Sequence, residues 1–569
     1  MYKWINLRIL DRIAKERNMF KKTKEPQLDI FGSPSALFSG KSQKMYQDEA
    51  GWHNQFRKQV TLRIDESIFK PLYCSDNGTP NASVRVLISM MILKEAEGLS
   101  DQKLFENCRF NMLTRSAIGL VNANDPVPTD STYYLFRKRI MDYANAGKGN
   151  LFDVVFTQVT KGQCIDFEVS GKRIRMDSKL LGSNIAWLSR YELIHETLRL
   201  FYKEAKQLGG INPDTTESLD ELLELEGYKV IYTCSGEEVK VRLQRLGELI
   251  YQILPLFSNG GAPHYQTLKR VFNEQFSVVD DKIVIAKPNE QITAQSVQSP
   301  YDTDCTYRNK DGNKVKGYSI NITESCDDGD GLNLIGNVDV RVVSASDVDY
   351  FQDATNKVQD AFTSKIEAAH VDGAYHSVDN QRFCKDNTIE LHLHAITGPK
   401  ARYGLELLDG KLSVLDTLTN EPIDSKMLIN KEGAVRWRIK PGNGYRYFNQ
   451  KDIDTCLIRK KIAETPIETL QKRNNVEATV FQVGYHYPND KSRYRGLVKH
   501  QMWANIRCFW VNFVRIVNFK ERTGLKTSFF VNMQLVKHCI SFIFVLRDLL
   551  MDLYPNRYDP FQKIKYSSI

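Results

Sequence analysis

The stretch Lys172-Arg-Ile-Arg-Met-Asp-Ser-Lys179 decides how the chain is read. It has the character of an extended segment ending in an acid, Asp177, followed by Ser178 and a turn into apolar, helix-compatible sequence. An acid at the mouth of a sheet is one third of a site, and the other two thirds must come from far along the chain. The candidates are Asp372, in Ile366-Glu-Ala-Ala-His-Val-Asp-Gly-Ala-Tyr375, and Glu477, in Arg473-Asn-Asn-Val-Glu-Ala-Thr-Val-Phe481.

Working outward, strand signals resume at Val315-Lys-Gly-Tyr-Ser-Ile-Asn-Ile-Thr323, which alternates. They continue in Leu332-Asn-Leu-Ile-Gly-Asn-Val-Asp-Val-Arg-Val-Val343, across the hairpin-type turn Asp327-Asp-Gly-Asp-Gly331. Ser346 is placed to cap a helix running to residue 362, and residues 365–371 form a short strand that delivers Asp372. A largely helical block separates the first strand from these, with helices expected over 186–207, 216–225, 238–256 and 264–276. Beyond Asp372, residues 389–450 are β-rich, with Asp409-Gly410 and Asn443-Gly444 as tight turns. Pro466 ends the irregular part, and a helix then carries Glu477. Val476, Val480 and Val483 give that helix one buried face, and Arg473 shares a face with Glu477, four residues on.

With the helical block treated as an insertion, the order strand–strand–strand–helix–strand is that of an RNase H-like sheet. The expected class is therefore α/β: an RNase H-like mixed sheet with flanking helices, interrupted by a helical insertion and a β-rich insertion, and preceded by a helical N-terminal domain. The expected boundaries are a polar arm over 1–55 and a helical domain, expected to bind DNA, over 56–165. A core follows, from 166–200, 300–388 and 463–525, with the helical insertion at 201–299, the β-rich insertion at 389–462 and a C-terminal helix at 526–569.

A chain of 569 residues is too long for one ordinary core. Its 42% hydrophobic and 26% charged residues describe a globular protein rather than a disordered one. The net charge of +9 suits a polyanionic partner without establishing one. Ten scattered cysteines with no Cys-x-x-Cys pair argue against a structural zinc site and a disulfide framework, and for a reducing cytoplasm. The opening Met1-Tyr-Lys-Trp-Ile-Asn-Leu-Arg lacks the apolar core of a secretory leader. The apolar stretch 529–550 is broken by Lys537, His538, Arg547 and Asp548, so a buried helix is expected there and no membrane span.

Residues 60–150 read as helical. Ser83-Val-Arg-Val-Leu-Ile-Ser-Met-Met-Ile-Leu-Lys94 is strongly apolar, Gly98-Leu-Ser100 supplies a stop and an N-cap, and Pro126-Val-Pro-Thr-Asp-Ser-Thr132 opens another helix. That last helix carries Arg137, Lys138 and Arg139, consistent with a helix-turn-helix-like DNA reader or with a solvated basic face. In the preceding arm, Lys21-Lys22-Thr-Lys24 and the Gly/Ser/Pro run from Phe31 are either a solvated tail or a DNA-contacting arm.

Three carboxylates can do specific chemistry. Mg²⁺ takes oxygen ligands, and two such ions ~4 Å apart activate the attacking oxygen and stabilise the leaving one in a phosphoryl displacement. Three acids carry two ions if one acid bridges them. Taken singly each acid is weak evidence among 69 Asp and Glu. Asp339, Glu367 and Glu468 compete for the same roles.

Further stretches give the pattern a family likeness: Gly98-Leu-Ser-Asp-Gln-Lys-Leu with Pro128-Thr-Asp-Ser-Thr-Tyr-Tyr-Leu-Phe-Arg137; Met176-Asp-Ser-Lys-Leu-Leu-Gly-Ser183; Val371-Asp-Gly-Ala-Tyr375; and Arg473-Asn-Asn-Val-Glu477 followed by Tyr494-Arg-Gly-Leu-Val-Lys499 and Asn512-Phe-Val-Arg-Ile516. In this order, over roughly 60–520, they resemble a bacterial insertion-sequence transposase of the DDE class, in the branch with an N-terminal helical domain and a long first spacer. The resemblance implies that Asp177, Asp372 and Glu477 are the catalytic, metal-holding triad, with two Mg²⁺ ions for which Mn²⁺ can substitute. It implies binding of double-stranded DNA, both the terminal inverted repeats and the target, cleavage at the element ends, and transfer of the 3′-hydroxyls. A homodimer in the DNA complex follows, because two ends must be joined, with a cytoplasmic, nucleoid-associated setting and neither membrane nor nucleotide cofactor. The alternatives are a nuclease of the same fold without strand transfer, or a derivative that only binds DNA. One departure stands out. Relatives flank the Glu with a Tyr, an Arg and a Lys; Arg473 fits, but Leu470 and Gly484 occupy the Tyr and Lys positions, leaving Lys491 or Lys499 as substitutes.

Past Glu477, residues 491–526 hold Lys491, Arg493, Arg495, Lys499, Arg507, Arg515, Lys520, Arg522 and Lys526 against the single acid Glu521. A basic stripe beside such a site suits a phosphate track; Trp503, Ile506, Trp510 and Phe513, at helical spacing, are expected in the core. Trp437, between Arg436 and Arg438, either packs on its own sheet or, by the resemblance, holds a base near the cleaved end.

Overall fold

The computed structural model describes residues 20–23, 34–74, 80–258, 263–280, 283–310, 312–329, 331–396, 401–408, 411–429, 433–485 and 487–524. Most of the N-terminal arm with Lys24 and Phe31, the Asp409-Gly410 turn, Lys526 and the expected C-terminal helix with its 529–550 stretch lie outside them. The chain divides into two compact units, Met1–Arg515 and Ile516–Ile569. Of the second, the described residues are 516–524, helical up to Thr523.

The N-terminal part of the first unit is helical: α1 (Gly40–Gln47), α2 (Trp52–Gln59), α3 (Val84–Ala96), α4 (Asp101–Phe110), α5 (Met112–Ala117), α6 (Asp130–Asn145) and α7 (Leu151–Asp166). The caps expected at Ser100 and in the 126–132 turn are made, and Ser83 adds a third. Ser83 accepts from the Val86 amide, Ser100 from Lys103 and Thr129 from Thr132, supplying partners that a first turn lacks. Every residue of α3 except Arg85 and Lys94 is buried. An apolar surface all round requires neighbours on all sides, and Glu95 provides one anchor. Its carboxylate accepts from the Tyr487 hydroxyl at 2.9 Å and from Tyr494, and Arg507 donates to its carbonyl at 2.7 Å.

The central sheet contains β1 (Arg173–Gly182), then, after an inserted block, β4 (Thr306–Lys310), β5 (Asn313–Ser325), β6 (Ile335–Val342), β7 (Ala368–Val371) and β8 (Glu390–Leu393). β5 lies antiparallel to β1, and β6 and β4 pair antiparallel with successive stretches of β5. On the other side β7 is parallel to β1 and β8 parallel to β7. The order is thus β6–β5–β1–β7–β8. The helix α13 (Asp347–Ala361), entered through a Ser346–Asp349 capping box, links β6 to β7. Covered on both faces, β7 is buried throughout, as parallel strands are.

Three details differ from the sequence expectation. β1 does not end at Asp177 but runs to Gly182, because Leu180 and Leu181 keep pairing with Ser319 and Tyr318 of the long β5. Residues 390–393 join the main sheet beside β7 and are not part of the β-rich insertion. α14 (Val378–Asp386) fills the connection before them. β4, a polar edge strand, was not anticipated.

The first inserted block holds α8 (Arg190–Leu208), α9 (Pro213–Glu224), α10 (Gly227–Thr233), α11 (Gly236–Ile253) and α12 (Tyr265–Gln275), closed by the hairpin of β2 (Phe276–Val279) and β3 (Ile283–Ala286). It has its own core around Leu198, Phe201, Ile250, Leu268 and Phe272. The second holds two small antiparallel sheets, β9 (Tyr403–Leu408) with β10 (Lys411–Asp416) and β11 (Pro422–Ile423), and β12 (Lys426–Ile429) with β13 (Val435–Ile439) and β14 (Arg446–Phe448). α15 (Gln450–Glu464), where irregular chain was expected, packs through Ile453 on Tyr403, Val414 and Trp437.

α16 (Ile467–Gln471) and α17 (Asn474–Gly484) return to the main sheet, and α18 (Leu497–Thr523) follows. Gln501 of α18 accepts from the Val340 amide at 2.7 Å and donates to the Val338 carbonyl at 2.9 Å; Asn512 treats Ile335 in the same way at 2.8 and 2.9 Å. These two amides occupy the open backbone edge of β6, which is otherwise a liability. Trp503, Ile506 and Phe513 are buried, as their spacing predicts, while Trp510 is only half-buried. Among the described residues no helix is long and apolar enough to cross a membrane.

Candidate active site

The register of β1 on β7 brings the first two acids together. Arg173, Ile174 and Arg175 pair with Ala368, Ala369 and His370. Two residues further, Asp177 and Asp372 stand side by side on one face, since side chains alternate with period two. β7 ends here while β1 continues, so Asp177 lies at the mouth of the parallel pair. Asp372 leaves the strand as the cap of a short turn, its Oδ1 accepting from the Gly373 amide at 2.6 Å. Only glycine fits next: a Cβ on Gly373 would lie 1.9 Å from the Ala395 carbonyl oxygen.

The third acid arrives on α17. Arg473, at its N-cap, donates from Nη1 to Glu477 at 3.0 Å and from Nη2 to Asp177 at 3.2 Å, with Asp372 at 3.9 Å. One guanidinium therefore faces all three carboxylates. The site grades from interior to solvent: side-chain exposure is 15% at Asp177, 42% at Asp372 and 60% at Glu477.

What fixes α17 lies beneath it. Glu324 of β5 is wholly buried; its Oε1 accepts from Arg175 Nε at 2.6 Å, and its Oε2 from Arg515 Nη1 at 2.6 Å and Thr479 Oγ1 at 2.8 Å. Arg175 also donates to the Lys472 carbonyl at 3.0 Å. The network grips the chain on both sides of Arg473 and Glu477, at residues 472 and 479. Burial pushes the Glu324 carboxyl up, but the two guanidiniums outweigh it and hold it below the ordinary carboxylate range. On the opposite face of the sheet, Ser178 of β1 donates to Asp347 at 2.6 Å, and its β5 partner Asn321 donates to the Tyr375 hydroxyl at 2.6 Å.

Asp177 titrates above its ordinary value. Burial is the main cause; Arg473 opposes it, and the charges of Asp372 and Glu477 reinforce it. Among the described residues no three His, Cys, Asp or Glu side chains stand close enough together to hold a metal ion; Arg473 separates the acids. The donor set nonetheless fits a hard divalent cation in kind, being all carboxylate oxygen. The acids converge on one position, which the guanidinium occupies. Asp339 is paired with Arg341 and Lys357 and Glu367 with Lys172, while Glu468 is exposed on α16, so none of these competitors joins the cluster.

The expected cations divide into two groups. Arg507 and Arg515 of the basic stretch turn inward and are spent on carbonyls and on Glu324. Lys491 donates to the Ile185 carbonyl at 3.0 Å, Arg495 to the Asn184 carbonyl at 2.6 Å, and Arg493 to the Gly98 carbonyl at 3.3 Å, yet all three stay exposed, as does Lys499. In α6, Arg137 lies 4.0 Å from Asp101, Lys138 is 2.5 Å from Asp142, and Arg139 covers the Tyr73 ring. Trp437 is 5% exposed and packed among Tyr403, Leu412 and Ile439, surroundings that fit the packing alternative.

Sequence reasoning passed over Lys179. It follows Asp177 by two residues on the same face of β1, pairs with Asp490 at 2.5 Å, and places its ammonium 3.4 Å from where a Gly484 side chain would begin. The gap at Gly484 is thus filled by a cation from the strand. Phe481 on α17 and Tyr485 at its C-cap, 62% and 67% exposed, follow Glu477 at four-residue steps; that spacing was visible in the sequence and its exposure was not.

Comparison with curated proteins and with solved structures gave no match. In the N-terminal helices, residues 46–139 match the family model described as Transposase domain (DUF772), which supports a transposase family for this chain.

Proposed function

We propose that the chain is a DDE transposase with an RNase H-like core, acting on double-stranded DNA at the terminal inverted repeats of its own element and on target DNA. The observation that carries this is the convergence of Asp177, Asp372 and Glu477, from β1, β7 and α17, on a single guanidinium. The strand order β6–β5–β1–β7–β8, parallel on one side of β1 and antiparallel on the other, supports the fold. The transposase-domain match supports the family.

Asp177 and Asp372 are the residues to hold divalent cations, with Glu477 completing one of two sites. Two Mg²⁺ ions, or Mn²⁺ in their place, supply activation of the attacking oxygen and stabilisation of the leaving one. The chain's own part is positioning. Asp177 is fixed by the strand, and the Ser178 amide donates to its Oδ1 at 2.9 Å. Asp372 is fixed by its turn, and Glu477 by the Glu324 network. Lys179, Lys491, Arg493, Arg495 and Lys499 offer charge for the phosphate backbone, and Arg137, Lys138 and Arg139 a second basic face. A homodimer on DNA would bring two ends together.

The test supplies purified full-length chain with Mg²⁺, duplexes carrying the repeats that flank its gene, and a supercoiled plasmid. The expected result is joined end–plasmid product, absent with Asp177→Asn, Asp372→Asn or Glu477→Gln. Cleavage without joining would identify a nuclease instead. Retention of both activities in all three variants would overturn the site.

A further inference from the structure

We infer that Arg473 is a built-in counter-ion of the acid cluster, which a divalent cation must displace before the three carboxylates can close on it. This rests on the assignment of those carboxylates as cation ligands and adds a competitor to it. Three facts support the inference. The guanidinium reaches Glu477 at 3.0 Å, Asp177 at 3.2 Å and Asp372 at 3.9 Å, so it stands where their negative potential is greatest. Its side chain is only 11% exposed, yet its Nε is buried with no hydrogen-bond partner among the described residues, so this position leaves a donor unsatisfied. The backbone behind it is held independently, since the Lys472 carbonyl accepts from Arg175. The side chain can therefore leave while α17 stays.

The chemistry follows from like charge. Three carboxylates crowded without a cation repel one another, and burial of Asp177 sharpens the cost. A guanidinium offers several donors in a fork and stays charged at all working pH values. It can neutralise the cluster and keep the acids near their places. A cation and this guanidinium cannot occupy the same position, so each weakens the other's hold. The reciprocity is thermodynamic: whatever Arg473 contributes to the cation-free protein is subtracted from cation affinity.

The experiment titrates full-length chain with Mn²⁺ by calorimetry and follows amide exchange in α17 with and without the ion. Arg473→Gln, which removes the charge and keeps most of the volume, should bind Mn²⁺ at least roughly thirtyfold more tightly, the order expected for removing a unit charge ~4 Å from a divalent ion even at the dielectric of water. Without Mn²⁺ its α17 amides should exchange faster than those of the unchanged chain, and slow again when the ion is added. Arg473→Lys, whose single ammonium cannot span three acids, should fall between and serves if the glutamine variant does not fold. A measurement on the unchanged chain is independent of both: phenylglyoxal should modify Arg473 severalfold faster with Mn²⁺ than without, read by peptide mass spectrometry. Equal or weaker Mn²⁺ binding by Arg473→Gln, or slower modification with Mn²⁺, would overturn the inference while leaving the ligand assignment standing. No Mn²⁺ binding by either protein, or binding unaffected by Asp177→Asn, would overturn both.

Discussion

Replacing Glu324 by glutamine should loosen α17 without touching any of the three acids. The glutamate is 0% exposed and, among the described residues, is the sole anion bonded to both Arg175 and Arg515, with Thr479 as its third donor. Glutamine keeps the shape but leaves two guanidiniums beside a neutral amide, whose nitrogen must face a donor. Removing one partner of a buried ion pair costs about 3–5 kcal/mol. Stranding two cations argues for the upper half of that range. The 19% exposure of Arg515 lets part of its charge reach solvent and argues for the lower half, so we expect about 4 kcal/mol. The chain has inserted blocks with cores of their own, so one melting temperature will not isolate this loss. Amide exchange resolves it: α17 amides should lose protection by that amount, while α8 and α11 in the helical insertion keep theirs. The loss should also remove a pH dependence. Glu324 sits below the ordinary carboxylate range, so its stabilisation is present above the unfolded value near 4.5 and fades as pH falls through the lower folded value. A change under about 1 kcal/mol at α17, or equal loosening in the insertion, would show that the network does not hold the helix.

Asp153 of α7 titrates up at about 6 through burial, though Asn505 and Gln501 donate to it. Its stabilisation is complete below the unfolded value near 3.8 and lost as pH rises through about 6, so Asp153→Asn, which still accepts both bonds, should raise stability at pH 8 by about 1 kcal/mol or more and leave it little changed at pH 4. Gly373→Ala must displace the Ala395 carbonyl, so a loss of about 1–3 kcal/mol in the amide-exchange protection of β7 is expected, with weaker Mn²⁺ binding as Asp372 shifts. Lys179→Ala should weaken DNA binding and reduce the steepness of its salt dependence by about 0.9 in a log–log plot, the signature of one lost phosphate contact; an unchanged slope would confine Lys179 to its pair with Asp490.

The sequence carried the acids further than it carried their surroundings. Alternation in 315–323 and the caps at Ser83, Ser100, Thr129 and Ser346 are local signals, and the elements they mark are present. β8 was assigned to the insertion because Glu-Leu-His-Leu alternates alike whichever sheet it joins; its partner, β7, is a tertiary fact. α15 escaped notice because it buries little beyond Ile453 and so shows no apolar stripe. Helical spacing paired Arg473 with Glu477, but no local pattern could show that the same side chain reaches back to β1. Charge counting likewise could not tell Arg507 and Arg515, which face inward, from Lys499, which faces water.

The central claim is that Asp177, Asp372 and Glu477 surround one cation position. Iron-directed backbone cleavage tests it most directly. Fe²⁺ in place of Mg²⁺, with ascorbate and peroxide, should cut the full-length chain at three places far apart in sequence, beside residues 177, 372 and 477. Excess Mg²⁺ and Asp177→Asn should each suppress all three cuts together. Cuts elsewhere, or cuts at these places that survive Asp177→Asn, would contradict the account.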